Sequence, residues 1–120
     1  MSSRRWDYAD NNTKFIGPVH RNFAENIWKT FKKVILYGSY ARGDYRDDSD
    51  IDIMILLDLS DMDIKQYRHE LSGETFDFNM DHDLDIKPIA KSQQHFQNWV
   101  DVYPFYANVE KEGVKLFEAA

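Results

Sequence analysis

Val19, Phe23, Ile27 and Phe31 recur every four residues, with Ala24 and Trp28 beside them. That spacing lays one apolar stripe along a helix. Gly17-Pro18 opens it, since proline suits a first turn. Lys32-Lys33 ends it, where cations complement the helix dipole. Val34 to Tyr37 then reads as a short buried strand, by length and β-branching, ended by Gly38. Ser39 to Arg46 is polar with small Ala41 and Gly43, and turns into a short helix before the loop Asp47-Asp48-Ser49. Asp50 to Leu57 is the second strand: Asp50 and Asp52 alternate with Ile51 and Ile53, and the run then becomes apolar on both faces. Ser60, with Asp63 three residues on, caps a helix. Its apolar face is Ile64, Tyr67, Leu71 and Phe78, weakened near Gly73. Leu84 to Ile89 reads as a third strand closed by Pro88. Ser92 caps a helix with Phe96, Trp99 and Val100 on one side. Pro104 opens a last one through Tyr106 and Val109, and Gly113 breaks it before Val114 to Phe117.

The order, roughly αβαβαβαα, predicts an α/β (α+β) fold: a single small domain whose short mixed sheet is flanked by helices. Residues 1–17 are polar and aperiodic and read as an N-terminal tail; residues 18–120 form the domain. The chain has 120 residues, 42% hydrophobic and 30% charged, enough to bury a real core. It has no cysteine, which removes disulfides, thiolate zinc sites and cysteine nucleophiles and fits a reducing, cytoplasmic setting. The longest nearly apolar run, Ile51 to Leu57, is too short to span a bilayer. Arg4 and Arg5 lead into no apolar segment, so no signal peptide is visible. The net charge of −6 argues against direct nucleic-acid binding. A nucleotide is not excluded, because a metal ion can meet its charge.

The stretch Gly38 to Asp52 carries the chemistry. Gly38 and Gly43 have the spacing of a phosphate-binding P-loop, but Asp44 stands where that loop needs lysine. Asp48, Asp50 and Asp52 copy the start of a calcium loop, but Ile53 and Leu59 occupy the positions of its glycine and its glutamate. Asp50 and Asp52, two apart on a strand, point to the same face. Two adjacent carboxylates repel each other unless a cation lies between them. Hard oxygen ligands without nearby His or Cys favour Mg²⁺ or Mn²⁺. Gly38 and Ser39, between a strand end and a helix start, offer backbone N–H groups to an anion. If the two strands pair, a triphosphate at Gly38-Ser39 and a metal at Asp50/Asp52 become neighbours, as phosphoryl or nucleotidyl transfer requires. Asp85 is the first candidate for a third carboxylate and Asp83 the second.

Gly38-Ser39, ten residues, then Asp50-Ile51-Asp52 resembles the signature of the DNA polymerase β-like nucleotidyltransferase superfamily. The longer run, Gly-Ser-Tyr-Ala-Arg-Gly through Ser-Asp-Ile-Asp, is similar to its minimal nucleotidyltransferase (MNT) branch, as is the ending Pro104 to Val114. The likeness covers Val19 to Glu118. It implies the polymerase β-like fold, Mg²⁺ (or Mn²⁺) at Asp50, Asp52 and Asp85, and ATP as substrate. Gly38 and Ser39 would hold its phosphates. Arg42, the motif's arginine, would sit near phosphate or clamp the acidic loop. The resemblance further implies an antitoxin that transfers AMP to a tyrosine of a HEPN-type toxin partner. Two other functions stand beside this one: a non-catalytic antitoxin that occludes its partner, and a small-molecule, antibiotic-type nucleotidyltransferase. The last usually needs a further domain for its acceptor, for which this chain has no residues left. An oligomer is compatible with all three. The four histidines show no metal-ligand spacing, and the aromatic excess reads first as core, with some rings free for a partner interface.

Overall fold

The computed structural model describes residues 29–119. The expected tail, and the expected helix up to residue 28, lie outside them. Among the described residues, four strands form a mixed sheet in the order β3-β2-β1-β4: β1 (Phe31–Tyr37), β2 (Ile51–Leu57), β3 (Ile86–Ser92) and β4 (Val114–Glu118). Between β1 and β2 lies α1 (Ser39–Arg42). The segment from β2 to β3 holds α2 (Asp61–Lys65) and α3 (Arg68–His82), and α4 (Gln93–Trp99) and α5 (Pro104–Glu112) follow β3. β1 is antiparallel to β2 and β4, while β2 and β3 run parallel.

β2 is the spine of the core. Ile53, Ile55 and Leu57 face one way, toward Ile64 of α2 and Leu71 and Phe78 of α3. Met54 and Leu56 face the other way, toward Phe96 of α4 and Tyr106 and Val109 of α5. A strand buried on both faces must be apolar throughout, which is why the alternation of β2 stops after Ile53. Asp52, with the parity of Met54 and Leu56, therefore belongs to the face that α4 and α5 cover, and Asp50 directly precedes the strand.

The helix caps form as expected. Ser60 Oγ accepts from Asp63 N at 3.1 Å, and Ser92 Oγ accepts from His95 N at 3.2 Å. Several boundaries differ: β2 starts at Ile51 rather than Asp50, and the short helix after β1 ends at Arg42. Phe31, expected on a helix, is the first residue of β1 and pairs with Leu57, because the strand is longer than its β-branched centre. The long helix after Ser60 is two helices, broken at Gln66-Tyr67 rather than weakened at Gly73. The third strand begins at Ile86 and runs through Pro88 to Ser92; β3 is an edge strand, where a missing N–H costs no ladder bond. Leu84, taken by the pattern as the start of that strand, lies before it and is 42% exposed. Val114 to Glu118, left without an element by the pattern, is β4.

Candidate active site

Tyr37, the last residue of β1, stands opposite Asp52 in the ladder. The chain leaves β1 through Gly38, at φ 77° and ψ −156°. A side chain rarely adopts that conformation, so glycine is needed for the backbone alone. It is needed for space as well: a Cβ there would overlap Asp52 Oδ2. The turn thus lies directly against the carboxylate. α1 starts at once, and its first bonded amide is Arg42 N, donating to Gly38 O at 3.1 Å. The amides ahead of it, from Ser39, are those that a helix start leaves without an intrahelical acceptor.

Gly43, at φ 85°, ends α1 in the left-handed conformation. The loop after it is pinned at two points. Tyr40 and Tyr45 stack at 4.3 Å, and Arg46 N donates to Ser49 Oγ at 2.8 Å. Arg42 is held by acids: Nε donates to Asp44 Oδ2 and Nη1 to Glu112 Oε1, both at 3.3 Å. These bonds tie its guanidinium to Asp44 of the following loop and to Glu112 at the end of α5. Exposed pairs of this kind contribute little stability, so their effect is on loop position.

Asp85 immediately precedes β3. Its carbonyl accepts from Ile51 N at 2.9 Å, tying it to the start of β2. Next to it, the Asn79 side chain of α3 serves both backbone groups of Ile86: Nδ2 donates to Ile86 O at 3.1 Å, and Ile86 N donates to Oδ1 at 2.9 Å. Asn79 thus acts as a short extra strand that fixes the entry to β3. Asp83, the second candidate, is the left-handed C-cap of α3 at φ 54° and is exposed.

Asp85 reaches Asp50. The hydrogen bond between their carboxyl groups is the first cause that holds the Asp50 pKa above the ordinary aspartate value. Loss of hydration and the repulsion of Asp85 and Asp52 add to it, and Lys87 opposes it. Lys87 Nζ lies 3.8 Å from Asp85 Oδ1. Burial, then Asp52, pushes the Tyr37 hydroxyl up to about 12. Gly38, Ser39, Asp50, Asp52 and Asp85 accordingly meet at one end of the sheet. Among the described residues no three His, Asp or Glu side chains are gathered closely enough to hold a metal ion: Asp50 and Asp85 share a contact while Asp52 turns to Gly38. The donor set fits a hard divalent cation nonetheless, since it is all carboxylate oxygen and its charges are mutually destabilising. His82, flanked by acids in the sequence, turns inward: Nδ1 lies 3.0 Å from Phe78 O, and the two rings stack. Asn79, Glu112 and the Tyr40–Tyr45 pair are the participants that sequence reasoning missed. Each acts across a turn or from another element, and no local motif announces it.

Residues 19–116 match the nucleotidyltransferase domain family. Over 86 residues the chain is 38% identical to a "putative protein adenylyltransferase" of Methanocaldococcus jannaschii, covering 72% of this chain and 78% of that one. The crystal structure of a "putative nucleotidyltransferase" from Sulfolobus solfataricus superposes with a TM-score of 0.55 at 20% identity, over 98% of this chain and 83% of that one. A crystal structure of the toxin–antitoxin MntA–HpeT, in mutant form, gives a TM-score of 0.51 at 18% identity, over 91% and 74%. The two structural likenesses are likenesses of fold.

Proposed function

This chain belongs to the nucleotidyltransferase domain family, and from that premise we propose that it transfers AMP from ATP to a hydroxyl of a partner protein. Nucleotidyl transfer is the activity of the family; the acceptor, the metal and the biological pairing are our reading. The observation that carries it is the convergence of the Gly38-Ser39 turn with Asp50, Asp52 and Asp85 at one end of the sheet.

In this reading the turn at Gly38-Ser39 and the start of α1 receive the triphosphate, with glycine allowing close backbone approach. Asp50, Asp52 and Asp85 would hold Mg²⁺ or Mn²⁺, which when bound offsets phosphate charge and activates the attacking hydroxyl. The acceptor oxygen bonds the α-phosphorus, the bond to pyrophosphate breaks, and the acid cluster takes the hydroxyl proton. Arg42 reaches phosphate only by leaving Asp44 and Glu112, so its first role is to hold the loop. The relative named as a protein adenylyltransferase supports a protein acceptor. The resemblance to MNT antitoxins supports a tyrosine of a HEPN-type toxin, encoded beside this chain, as the target.

One observation favours the second reading, an antitoxin that only covers its partner: the three carboxylates are not gathered into a metal set. Asp85→Asn separates the two. Labelled ATP, Mg²⁺ and the neighbouring protein are incubated with each variant, and AMP on the partner and partner activity are measured together. An enzyme loses transfer by orders of magnitude and loses neutralisation with it, while still binding the partner. Transfer lost with neutralisation intact leaves the occluder.

A further inference from the structure

On the face of the sheet that carries Asp52, aromatic rings form a continuous file. It begins at Tyr37, the strand partner of Asp52, whose ring meets Phe105 edge-on at 5.6 Å. Phe105 meets Tyr106 at 6.1 Å, Tyr106 meets Tyr103 at 5.6 Å, and Tyr103 stacks on Trp99 at 5.3 Å. Tyr106 is core. Phe105, Tyr103 and Trp99 are 44%, 42% and 39% exposed, and Val102 between them is 60% exposed. Packing explains the buried members of the file and leaves the exposed ones unexplained. Trp99, grouped by the pattern with Phe96 and Val100 on one side of its helix, is exposed while Phe96 is buried. A contiguous exposed apolar patch marks an interaction site more often than chance does, and Trp and Tyr are the residues on which binding energy concentrates.

The far end of the file opens onto a cleft of about 580 Å³ between the end of β2 and α4. Asp58, Asp61 and Asp63 line it and, among the described residues, no lysine or arginine does. His95 joins cleft and file: its ring lies 6.2 Å from both Trp99 and Tyr103, and its Nδ1 is 3.9 Å from Asp61 Oδ2. Carboxylates beside aromatic faces suit an ammonium or guanidinium group.

We propose that the Trp99–Tyr103–Phe105 face, with the acidic cleft beside His95, is the surface on which the acceptor protein docks. Its apolar patch covers the rings, and one of its lysine or arginine side chains enters the cleft. The inference rests on the protein-acceptor reading above. Two features choose this occupant. The file leads to Tyr37 and hence to the catalytic acids, so a protein seated on it lies beside the reacting end of the sheet. The acidic lining selects a basic partner and repels nucleic acid. Other exposed apolar side chains lie elsewhere: Val114 and Leu116 on the edge strand β4, and Phe76 and Met80 on α3. α3 covers the face of the sheet opposite to the one that carries Asp52.

The test uses the full chain and the purified protein encoded beside it. The double variant Trp99→Ala/Tyr103→Ala should weaken binding of that protein, by calorimetry, and raise its KM in AMP transfer, each by about tenfold or more. ATP affinity should be unchanged, and Phe76→Ala should behave as wild type. Asp58→Lys, an exposed change that leaves the rings in place, should weaken binding too and flatten its salt dependence, so the proposal stays testable if the double variant unfolds. Binding equal to wild type in both variants overturns the surface. So does a wild type that does not bind the protein, or an effect confined to self-association in light scattering. Wild type that binds the protein through this face without transferring AMP would instead remove the catalytic reading and leave the surface standing.

Discussion

The Asp52 carboxylate occupies the space that a side chain at Gly38 would need. Turn and acid are therefore built to fit each other, and the fit predicts a coupled pair of mutations. Gly38→Ala meets both the carboxylate and a positive φ, which together should cost about 1–3 kcal/mol in urea unfolding. Adding Asp52→Ala should recover the steric part and leave the backbone part. A double-mutant cycle with no coupling between the two positions would contradict the contact. Activity should be lost in all three variants.

The shared contact of Asp50 and Asp85 predicts a pH effect in the metal-free protein. Above the ordinary aspartate value of 3.8 and below the raised one, the folded chain keeps a proton on Asp50 that the unfolded chain has released. Stability from this group is therefore greatest at low pH and falls as pH rises through that window. A carbon-13 titration of the Asp50 carboxyl should show a midpoint above 3.8. Asp85→Asn should lower the midpoint, and so should Mg²⁺. A midpoint unmoved by Mg²⁺ would argue that no cation binds there.

Asn79 predicts a positioning effect at a distance from phosphate. Asn79→Ala removes both bonds to the Ile86 backbone and should cost about 1–3 kcal/mol of stability. Asp85 then loses its neighbouring anchor, so AMP transfer should fall while ATP affinity holds. A parallel loss of ATP affinity would place Asn79 in nucleotide binding instead.

Ser39→Ala tests the phosphate turn itself. Loss of one hydrogen bond to a charged oxygen should weaken ATP binding by about 1.5–3 kcal/mol, with thermal stability little changed because Ser39 opens only a four-residue helix. Wild-type affinity would move the nucleotide elsewhere.

The parts of this site that lie close together in the chain could be read before the fold was known. The pairing of β1 with β2, with Tyr37 opposite Asp52, brings Gly38 against Asp52 as the spacing suggested, while Asp50 directly precedes β2 instead of lying on it. The caps at Ser60 and Ser92 were legible for the same reason: each is a side chain bonding an amide three residues on. The rest depends on tertiary partners. Phe31 follows a helical spacing but is drawn into β1 by its pairing with Leu57. Pro88 suggests a strand end, and only the edge position of β3 removes that meaning. Arg42 carries no mark of Glu112, seventy residues away, and Asn79 none of Ile86.

The parallel pairing of β2 with β3 also sets an order of assembly. β1 and β2 close a short loop on each other, whereas β3 can join only after α2 and α3 have crossed the sheet. Loop-closure entropy favours the shorter connection. Pulse-labelled hydrogen exchange during refolding should therefore protect β1 and β2 before Ile86 and its neighbours; simultaneous protection would refute this sequence of events. The Gly38 turn is complete with the first pair, and Asp85 arrives with the second. On the reading proposed above, the phosphate-facing turn is therefore in place before the third carboxylate joins it, each time this protein folds.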